Sequence, residues 1–249
     1  MKKIIIVGSI IVICIIGCYY YFESKTTKVL LVGEVVGFEI NNYDTDTELV
    51  ANSGVIPTSS KSVGTITFVD ENTKRFAALG HSISNNKEEL KLTGNCYRID
   101  FGYVKKSTNN SEGKIIADIN EEGKLGYLDS SNRYGLFGRL ENITKSKYKT
   151  MSTANRLDVK KGTAYICIDF DGSGLKEYEV EVTEINYFTY NENIRILVKS
   201  EELINKAGGI AQGMSGAPLI QNGKLIGAIN CVNSENSLDA YAVFIDKLI

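Results

Sequence analysis

The chain has 249 residues, of which 43% are hydrophobic and 23% are charged, which suits one sizeable domain or two small packed ones and excludes wholesale disorder. Its formal net charge is -2 with acidic and basic residues interspersed, so it lacks a basic stripe that would bind a phosphate backbone, and we expect no nucleic-acid partner. The ligand clusters that a metal or organic cofactor needs are also missing from the sequence, so we expect no cofactor.

The N-terminal segment, residues 1–25, differs from the rest of the chain. An apolar run from Ile4 to Phe22 follows two lysines and is long enough to cross the hydrocarbon core of a membrane. The lysines favour a cytoplasmic N-terminus, which places everything after residue 25 outside the membrane. Two alternatives stay open. One is a cleaved signal peptide, although no Ala-x-Ala pattern is present, and the other is a lipoprotein in which Cys18 of the Ile15–Cys18 box is lipidated.

From Val29 onward, short β-branched or alternating runs separated by Gly, Asn, Asp and Ser predict an all-β fold, as a barrel or paired barrels. Helical periodicity is scarce; the best segment is Glu201–Ala207, which ends at two glycines. Asn222-Gly223 predicts a hairpin turn. Thr108–Gly113 and Glu121–Asn132 are predicted surface loops. The predicted strands are 63–69, 163–170, 178–182, 194–198, 224–232 and 240–245.

Five cysteines are present, and Cys14 and Cys18 belong to the apolar segment. The spacing of Cys96, Cys167 and Cys231 matches no zinc pattern. We interpret these three as small buried hydrophobes rather than as one disulfide and a free thiol.

One histidine and one glycine-flanked serine carry the candidate chemistry. His81 is the only histidine and lies in Leu79–Ile83, whereas Ser215 lies in Gly213–Pro218. A serine attacks an acyl carbon at neutral pH only if a base takes its proton, and imidazole has a suitable pKa. If Ser215 is a nucleophile, His81 is its only candidate imidazole base, and the N–H groups of Gly213 and Ser215 are candidate oxyanion donors. The alternative at this point is that neither residue is catalytic. The Ser215 motif would then be a structural glycine-rich turn, and His81 a polar residue at the end of a strand.

The contexts of both residues extend well beyond these short motifs. They resemble the stage IV sporulation protein B (SpoIVB) family of serine peptidases, with its S55-type peptidase domain, over most of Val55–Ile249. The segments that carry the resemblance are 208–228 around Ser215, 63–68 and 78–84 around His81, and 117–120 and 135–138 between them.

The resemblance implies a chymotrypsin-like double β-barrel serine peptidase domain at 55–249, preceded by a transmembrane helix within 1–25 and a short segment of linker and first strands at 26–54. It implies His81 and Ser215 as catalytic residues. It also implies an endopeptidase held on the outer face of the forespore membrane, in the intermembrane space, that cleaves a membrane-associated sporulation regulator. Self-processing near the N-terminal region is a further implication.

Two features depart from the family pattern. Family members usually carry a PDZ module between the anchor and the peptidase domain, and the segment 26–54 is too short for one. Counting back from Ser215, the family's orienting aspartate falls on Ser200, which accepts a hydrogen bond but adds no negative charge, and Glu201 is an alternative support for His81. The alternative function is therefore an impaired or inactive peptidase homologue that binds a peptide or a partner protein.

Overall fold

The structure is a computed structural model that describes residues 26–43, 60–83, 89–108, 111–190, 192–233 and 235–249. The predicted membrane segment Ile4–Phe22, with Cys14 and Cys18, lies outside the described residues. No helix within these described ranges is long and apolar enough to span a bilayer.

Strands dominate the described part of the chain, which contains fourteen of them and one α-helix. The prediction of an all-β fold is therefore confirmed. The strands are β1 (Lys28–Leu31), β2 (Val35–Tyr43), β3 (Ser60–Val69), β4 (Arg75–Ala78), β5 (Leu90–Lys105), β6 (Lys114–Asn132), β7 (Gly135–Leu140), β8 (Lys149–Thr153), β9 (Gly162–Ile168), β10 (Lys176–Ile185), β11 (Ile194–Val198), β12 (Pro218–Gln221), β13 (Lys224–Asn233) and β14 (Asn236–Phe244), and the helix is α1 (Glu201–Ala207).

The hydrogen-bonded strand pairs close into two separate rings of six strands. In the first ring β2, β3, β4, β7, β6 and β5 follow one another, and β5 pairs again with β2. In the second ring β9, β10, β11, β14, β13 and β12 follow one another, and β12 pairs again with β9. When the six strands of each ring are numbered 1 to 6 in chain order, both barrels have the same order of neighbouring strands, 1-2-3-6-5-4. Closure leaves neither barrel with an unpaired sheet edge.

Two further strands join the barrels. β1 pairs with β3 of the first barrel and with β8, and β8 pairs in parallel with β13 of the second barrel. The N–H of Thr27 donates to Thr153 Oγ1, and the N–H of Thr153 donates to the Thr27 carbonyl, each at 2.8 Å. The segment 26–54 therefore contributes β1 and β2 to the sheet, and β2 is part of the first ring.

Alternating burial explains why these sequences form barrel strands. In β10, Tyr178, Val180 and Val182 are buried, whereas Glu177 and Glu179 are exposed, as the sequence predicted. Each barrel has its own core. Phe38, Phe76 and Leu136 belong to the first core, and Ile166, Val180 and Leu219 belong to the second.

The predictions of the helix and the tight turn are confirmed, but one loop prediction is wrong. α1 spans Glu201–Ala207 and ends at Gly208 with φ 78°, and Asn222-Gly223 connects β12 to β13. Residues Glu121–Asn132 are not a surface loop, because they form the second part of β6 and pair with β5 and β7. The outward side chains of this part of the strand are mostly polar and two glycines interrupt it. The alternation of apolar and polar residues that identifies a strand is therefore not visible in the sequence.

The three cysteines of the body are free thiols. Cys96 and Cys167 are buried, which confirms their interpretation as small buried residues, whereas Cys231 is a free thiol that is only half-buried. Burial raises the pKa of Cys167 to about 12 and that of Cys231 to about 11, so both thiols stay protonated at neutral pH.

Candidate active site

A strained turn directs the chain from β4 of the first barrel to His81. Leu79 has φ 71° and Gly80 has φ 67°, and the N–H of Gly80 donates to the Ala78 carbonyl at 3.0 Å. A three-residue turn of this hand is rare for a residue other than glycine, and such strain persists only where the surroundings enforce it. The Leu79 side chain is buried, and it fills the space above Gly64, where a Cβ would lie 2.2 Å from Leu79 Cδ2.

Strand β3 of the first barrel holds the Ser215 loop of the second through three hydrogen bonds. The N–H of Thr65 donates to the Ser215 carbonyl at 2.9 Å. The hydroxyl of Thr65 donates to the Gly213 carbonyl at 2.9 Å, and that of Thr67 donates to the Gly216 carbonyl at 2.7 Å. Both threonines are fully buried, and we call these bonds the threonine contacts. They fix Ser215 and a glycine on each side of it onto the barrel that carries His81.

The His81 turn and the Ser215 loop meet directly. A Cβ at Gly216 would lie 2.5 Å from the backbone nitrogen of Leu79, and a Cβ at Gly80 would lie 3.3 Å from Asn230 Cα. Asn230 in turn accepts a hydrogen bond from Ser215 Oγ at its backbone carbonyl, at 3.1 Å. The structure therefore brings the segment of His81 next to Ser215, although the two residues lie in different barrels.

Two loop amides near Ser215 have no acceptor within the described residues. The N–H groups of Gly213 and Ser215 make no hydrogen bond to the described part of the protein, and Gly213 has φ 99°. The neighbouring amides are paired: Met214 donates to Ala211, Gly216 to Ile229 and Ala217 to Met214. These unpaired donors are the two that the sequence predicted for an oxyanion.

The side chains of His81 and Ser215 are half-buried and make separate hydrogen bonds. His81 Nδ1 lies 2.9 Å from the carbonyl oxygen of Ser82, whereas Ser215 Oγ donates to the Asn230 carbonyl. Because a carbonyl oxygen only accepts, the contact with Ser82 places the proton on Nδ1 and leaves Nε2 as the acceptor in the neutral ring. No hydrogen bond joins the two side chains in the described contacts, so their pairing stays a prediction.

Ser200 has a local structural partner. It is the N-cap of α1, and its Oγ accepts a hydrogen bond from the N–H of Leu203 at 3.3 Å. Glu201 lies exposed in the first turn of the same helix. Among the described contacts neither residue bonds to His81, so the support of His81 by Ser200 or Glu201 stays a prediction.

Several site residues were not singled out by the sequence. Thr65 and Thr67 resemble ordinary β-strand residues, and the contributions of Ser82 and Asn230 come from backbone carbonyls. The alternation of two threonines around Ile66 was the only available signal, since inward-facing hydroxyls need buried partners.

An open groove of about 670 Å³ reaches Gly213 from the first barrel. It runs between the start of β3 and the start of β6. Its apolar lining includes Val63, Ile116, Ala117 and Ile119, and Lys61 and Lys114 lie at its rim.

Comparison with known proteins identifies the family. The family model described as SpoIVB peptidase S55 matches residues 55–249. The chain belongs to the SpoIVB peptidase S55 family. This confirms the resemblance noted in the sequence and makes the protein a member of a serine peptidase family.

Among solved structures, this S55 family member is similar to the Rv3671c protease from M. tuberculosis, crystallised in its active form. The match has a TM-score of 0.43 and 11% identity, and it covers 86% of this chain and 77% of the other. No curated protein matches the chain.

Gly216→Ala is expected to disrupt the contact between the barrels. At φ 93°, its Cβ would lie 2.0 Å from the Thr65 carbonyl oxygen, so the backbone must shift. We expect a loss of about 3 kcal/mol or more, measured by urea unfolding, from steric overlap and positive φ together.

The matched control is Gly223→Ala. This glycine also has positive φ, 72°, but nothing lies within 4 Å of a Cβ there. It should lose only about 1 kcal/mol. Equal losses for the two variants would contradict a close contact at Gly216.

Proposed function

We propose that this S55 family member is an active serine endopeptidase with Ser215 as nucleophile and His81 as general base and then general acid. The observation that carries the proposal is that the threonine contacts and Gly216 hold the Ser215 loop against the His81 turn. A barrel arrangement with the histidine on the first barrel and the serine on the second supports a chymotrypsin-like fold.

The proposed reaction begins when Ser215 Oγ turns from the Asn230 carbonyl to the substrate. Its proton passes to His81 Nε2 while Oγ bonds to the acyl carbon of the scissile peptide, and the carbonyl oxygen becomes negative. His81 then gives the proton to the leaving amine as the C–N bond breaks, and water cleaves the acyl-enzyme by the same route. Catalytic hydrogen bonds often tighten only when substrate binds.

The developing negative charge is placed at the amides of Gly213 and Ser215. Removing one such donor in a serine peptidase typically costs about 10²–10³ in turnover. Their lack of partners in the described residues supports this role.

The groove next to Gly213 supports an extended protein substrate rather than a small molecule. It is open, and its lining mixes apolar side chains such as Val63, Ile116 and Ile119 with polar ones such as Lys61, Lys114 and Asp118. We propose that it takes an extended segment of a membrane-associated regulatory protein, that this cleavage acts in sporulation signalling, and that the enzyme also processes its own N-terminal region.

The second candidate function is an impaired homologue that binds a peptide or partner in the same groove. It is favoured by the use of Ser200 as a helix cap and by the neutral carbonyl, rather than a carboxylate, at His81 Nδ1.

The nucleophile is tested with a fluorescent fluorophosphonate, which labels activated serines. The wild type should be labelled stoichiometrically at one site, and Ser215→Ala and His81→Gln should reduce labelling at least about 10³-fold, because each loses a reacting group. Ser173→Ala is the control, since this exposed serine donates to Asp171 Oδ1 in the turn between β9 and β10, outside the Ser215 loop. Absence of labelling in the folded wild type, with peptide binding retained, would favour the binding function.

Ser200 is tested separately for stability and reactivity. If the Ser82 carbonyl orients His81, Ser200→Ala should lose about 1 kcal/mol as a helix cap and change the labelling rate less than about threefold. Ser200→Asp should keep both the stability and the labelling rate of the wild type, since aspartate also caps helices. A tenfold or larger fall in labelling by folded Ser200→Ala would assign the orienting role to Ser200 instead.

For localisation we propose a membrane-tethered, extracytoplasmic enzyme, held by the apolar run Ile4–Phe22 or by a lipid on Cys18. An exposed aromatic loop supports this. Phe188 is 95% exposed and Tyr190 is 62% exposed, and Lys247 Nζ donates to the Tyr190 carbonyl. Aromatic side chains favour the membrane interface.

This loop lies near the start of the described chain. Lys247 and Thr27 line the same cavity of about 260 Å³. Thr27 follows the apolar run by five residues, which span at most about 18 Å. We propose that the tether holds Phe188 and Tyr190 at the lipid surface.

The chain contains no tryptophan, so Phe188→Trp gives a single reporter. With the full chain in lipid vesicles, its emission should shift to the blue and be quenched by brominated lipids. Tyr103→Trp, at a side chain 64% exposed on β5, should do neither. Failure of the chain to float with vesicles would refute the tether, whereas flotation of the Phe188→Trp variant with unquenched tryptophan emission would refute only the loop contact.

A further inference from the structure

The β5–β6 hairpin reaches from the first barrel to the loop of the second barrel that contains Gly213 and Ser215. The N–H of Ser107 donates to the Ala207 carbonyl at 2.9 Å. Further along, the N–H of Gln212 donates to the Gly113 carbonyl at 2.9 Å, and the N–H of Ile115 donates to the Gln212 carbonyl at 3.0 Å. Both backbone groups of Gln212 are therefore paired with the hairpin, as a short parallel bridge.

The bond from Ile115 sets the direction of one proposed oxyanion donor. The Gln212 carbonyl and the Gly213 N–H belong to the same peptide plane. The described chain contains no cis peptide, and in a trans peptide these two groups point in opposite directions. Because the carbonyl points to the hairpin, the Gly213 N–H must point away from it.

Side chains reinforce the same peptide plane. Ile115 is 2% exposed, and its side chain would lie 3.1 Å from a Cβ at Gly213. Gln212 Nε2 donates to Glu112 Oε2 at 2.6 Å. On the other side, the Gly213 carbonyl accepts from Thr65 Oγ1. The first barrel thereby also holds the following peptide plane, between Gly213 and Met214.

We infer that the β5–β6 hairpin positions the oxyanion donor of Gly213, with the Ile115 backbone N–H and the Glu112 carboxylate as its positioning groups. This inference rests on the proposed peptidase function. Without the bond from Ile115, the plane between Gln212 and Gly213 is free to rotate. Its carbonyl then faces the developing oxyanion in place of the N–H, and the site loses a donor while keeping Ser215 and His81.

The test removes the donor and measures the reaction of Ser215 with a fluorescent fluorophosphonate over a range of probe concentrations. Ile115→Pro deletes the N–H, and the preceding Lys114 already lies in a strand, as a residue before proline prefers. We expect the maximal labelling rate to fall roughly 10- to 100-fold, because the Gly213 donor is misdirected rather than absent. The half-saturating probe concentration should change less than about twofold, since Val63, Ile116 and Ile119 still line the groove.

Ile115→Val is the matched control, because it keeps the backbone N–H and most of the side chain. Its labelling rate should stay within about twofold of the wild type. Glu112→Ala is the second variant, and it applies even if Ile115→Pro does not fold. It removes only an exposed side-chain bond and should slow labelling roughly two- to fivefold.

The outcomes separate this inference from the proposed function. A wild type that does not react with the probe overturns the peptidase function itself. A reactive wild type with unchanged maximal rates in both folded Ile115→Pro and Glu112→Ala overturns the hairpin inference alone. If Ile115→Pro is unfolded, an unchanged rate in Glu112→Ala overturns it. Equal changes in the maximal rate and the half-saturating concentration would point to a general structural defect and would also count against it.

Discussion

The candidate site depends on the hydrogen bonds that two buried threonines make across the barrels. Thr65 and Thr67 lie in β3 at 0% exposure, and their hydroxyls donate to carbonyls of the Ser215 loop. A buried hydroxyl without a partner costs about 1–3 kcal/mol, so these bonds strongly favour one register between the strand and the loop. The absence of a Cβ at Gly216 lets the backbones approach closely enough to form them. The position of Ser215 relative to His81 follows from this contact.

The same backbone contacts define what the site contributes electrostatically. Ser82 gives His81 a neutral carbonyl at Nδ1, which fixes the tautomer but does little to stabilise an imidazolium. In the proposed reaction, the amides of Gly213 and Ser215, which have no acceptor within the described residues, would carry more of the charge stabilisation than they would beside a carboxylate-supported histidine. Cys231 is no rival nucleophile, because burial raises its pKa to about 11.

Local signals predicted much of the fold but not the contacts that assemble the site. The alternation at 178–182, the glycine-terminated helix at 201–207 and the Asn222-Gly223 turn are set by short-range preferences, and each is confirmed. Residues 121–132 were missed because solvent-facing polar side chains and glycines conceal a strand whose partners lie elsewhere in the chain. The partners of Thr65 lie far away in the sequence and the contact of Ser82 is made by a backbone carbonyl, so the sequence does not identify what either residue contacts.

The two barrels share one strand order, although the sequence contains no visible repeat. His81 follows the third strand of the first barrel, and Ser215 precedes the fourth strand of the second. The proposed site is therefore divided between the barrels, and the proposed reaction requires the contact between them. β1 and β8 pair across the same boundary, so the strand that follows the N-terminal segment also helps to join the barrels. β1 pairs with β3, the strand that carries Thr65 and Thr67, so the first described strand and the Ser215 loop contact the same strand of the first barrel.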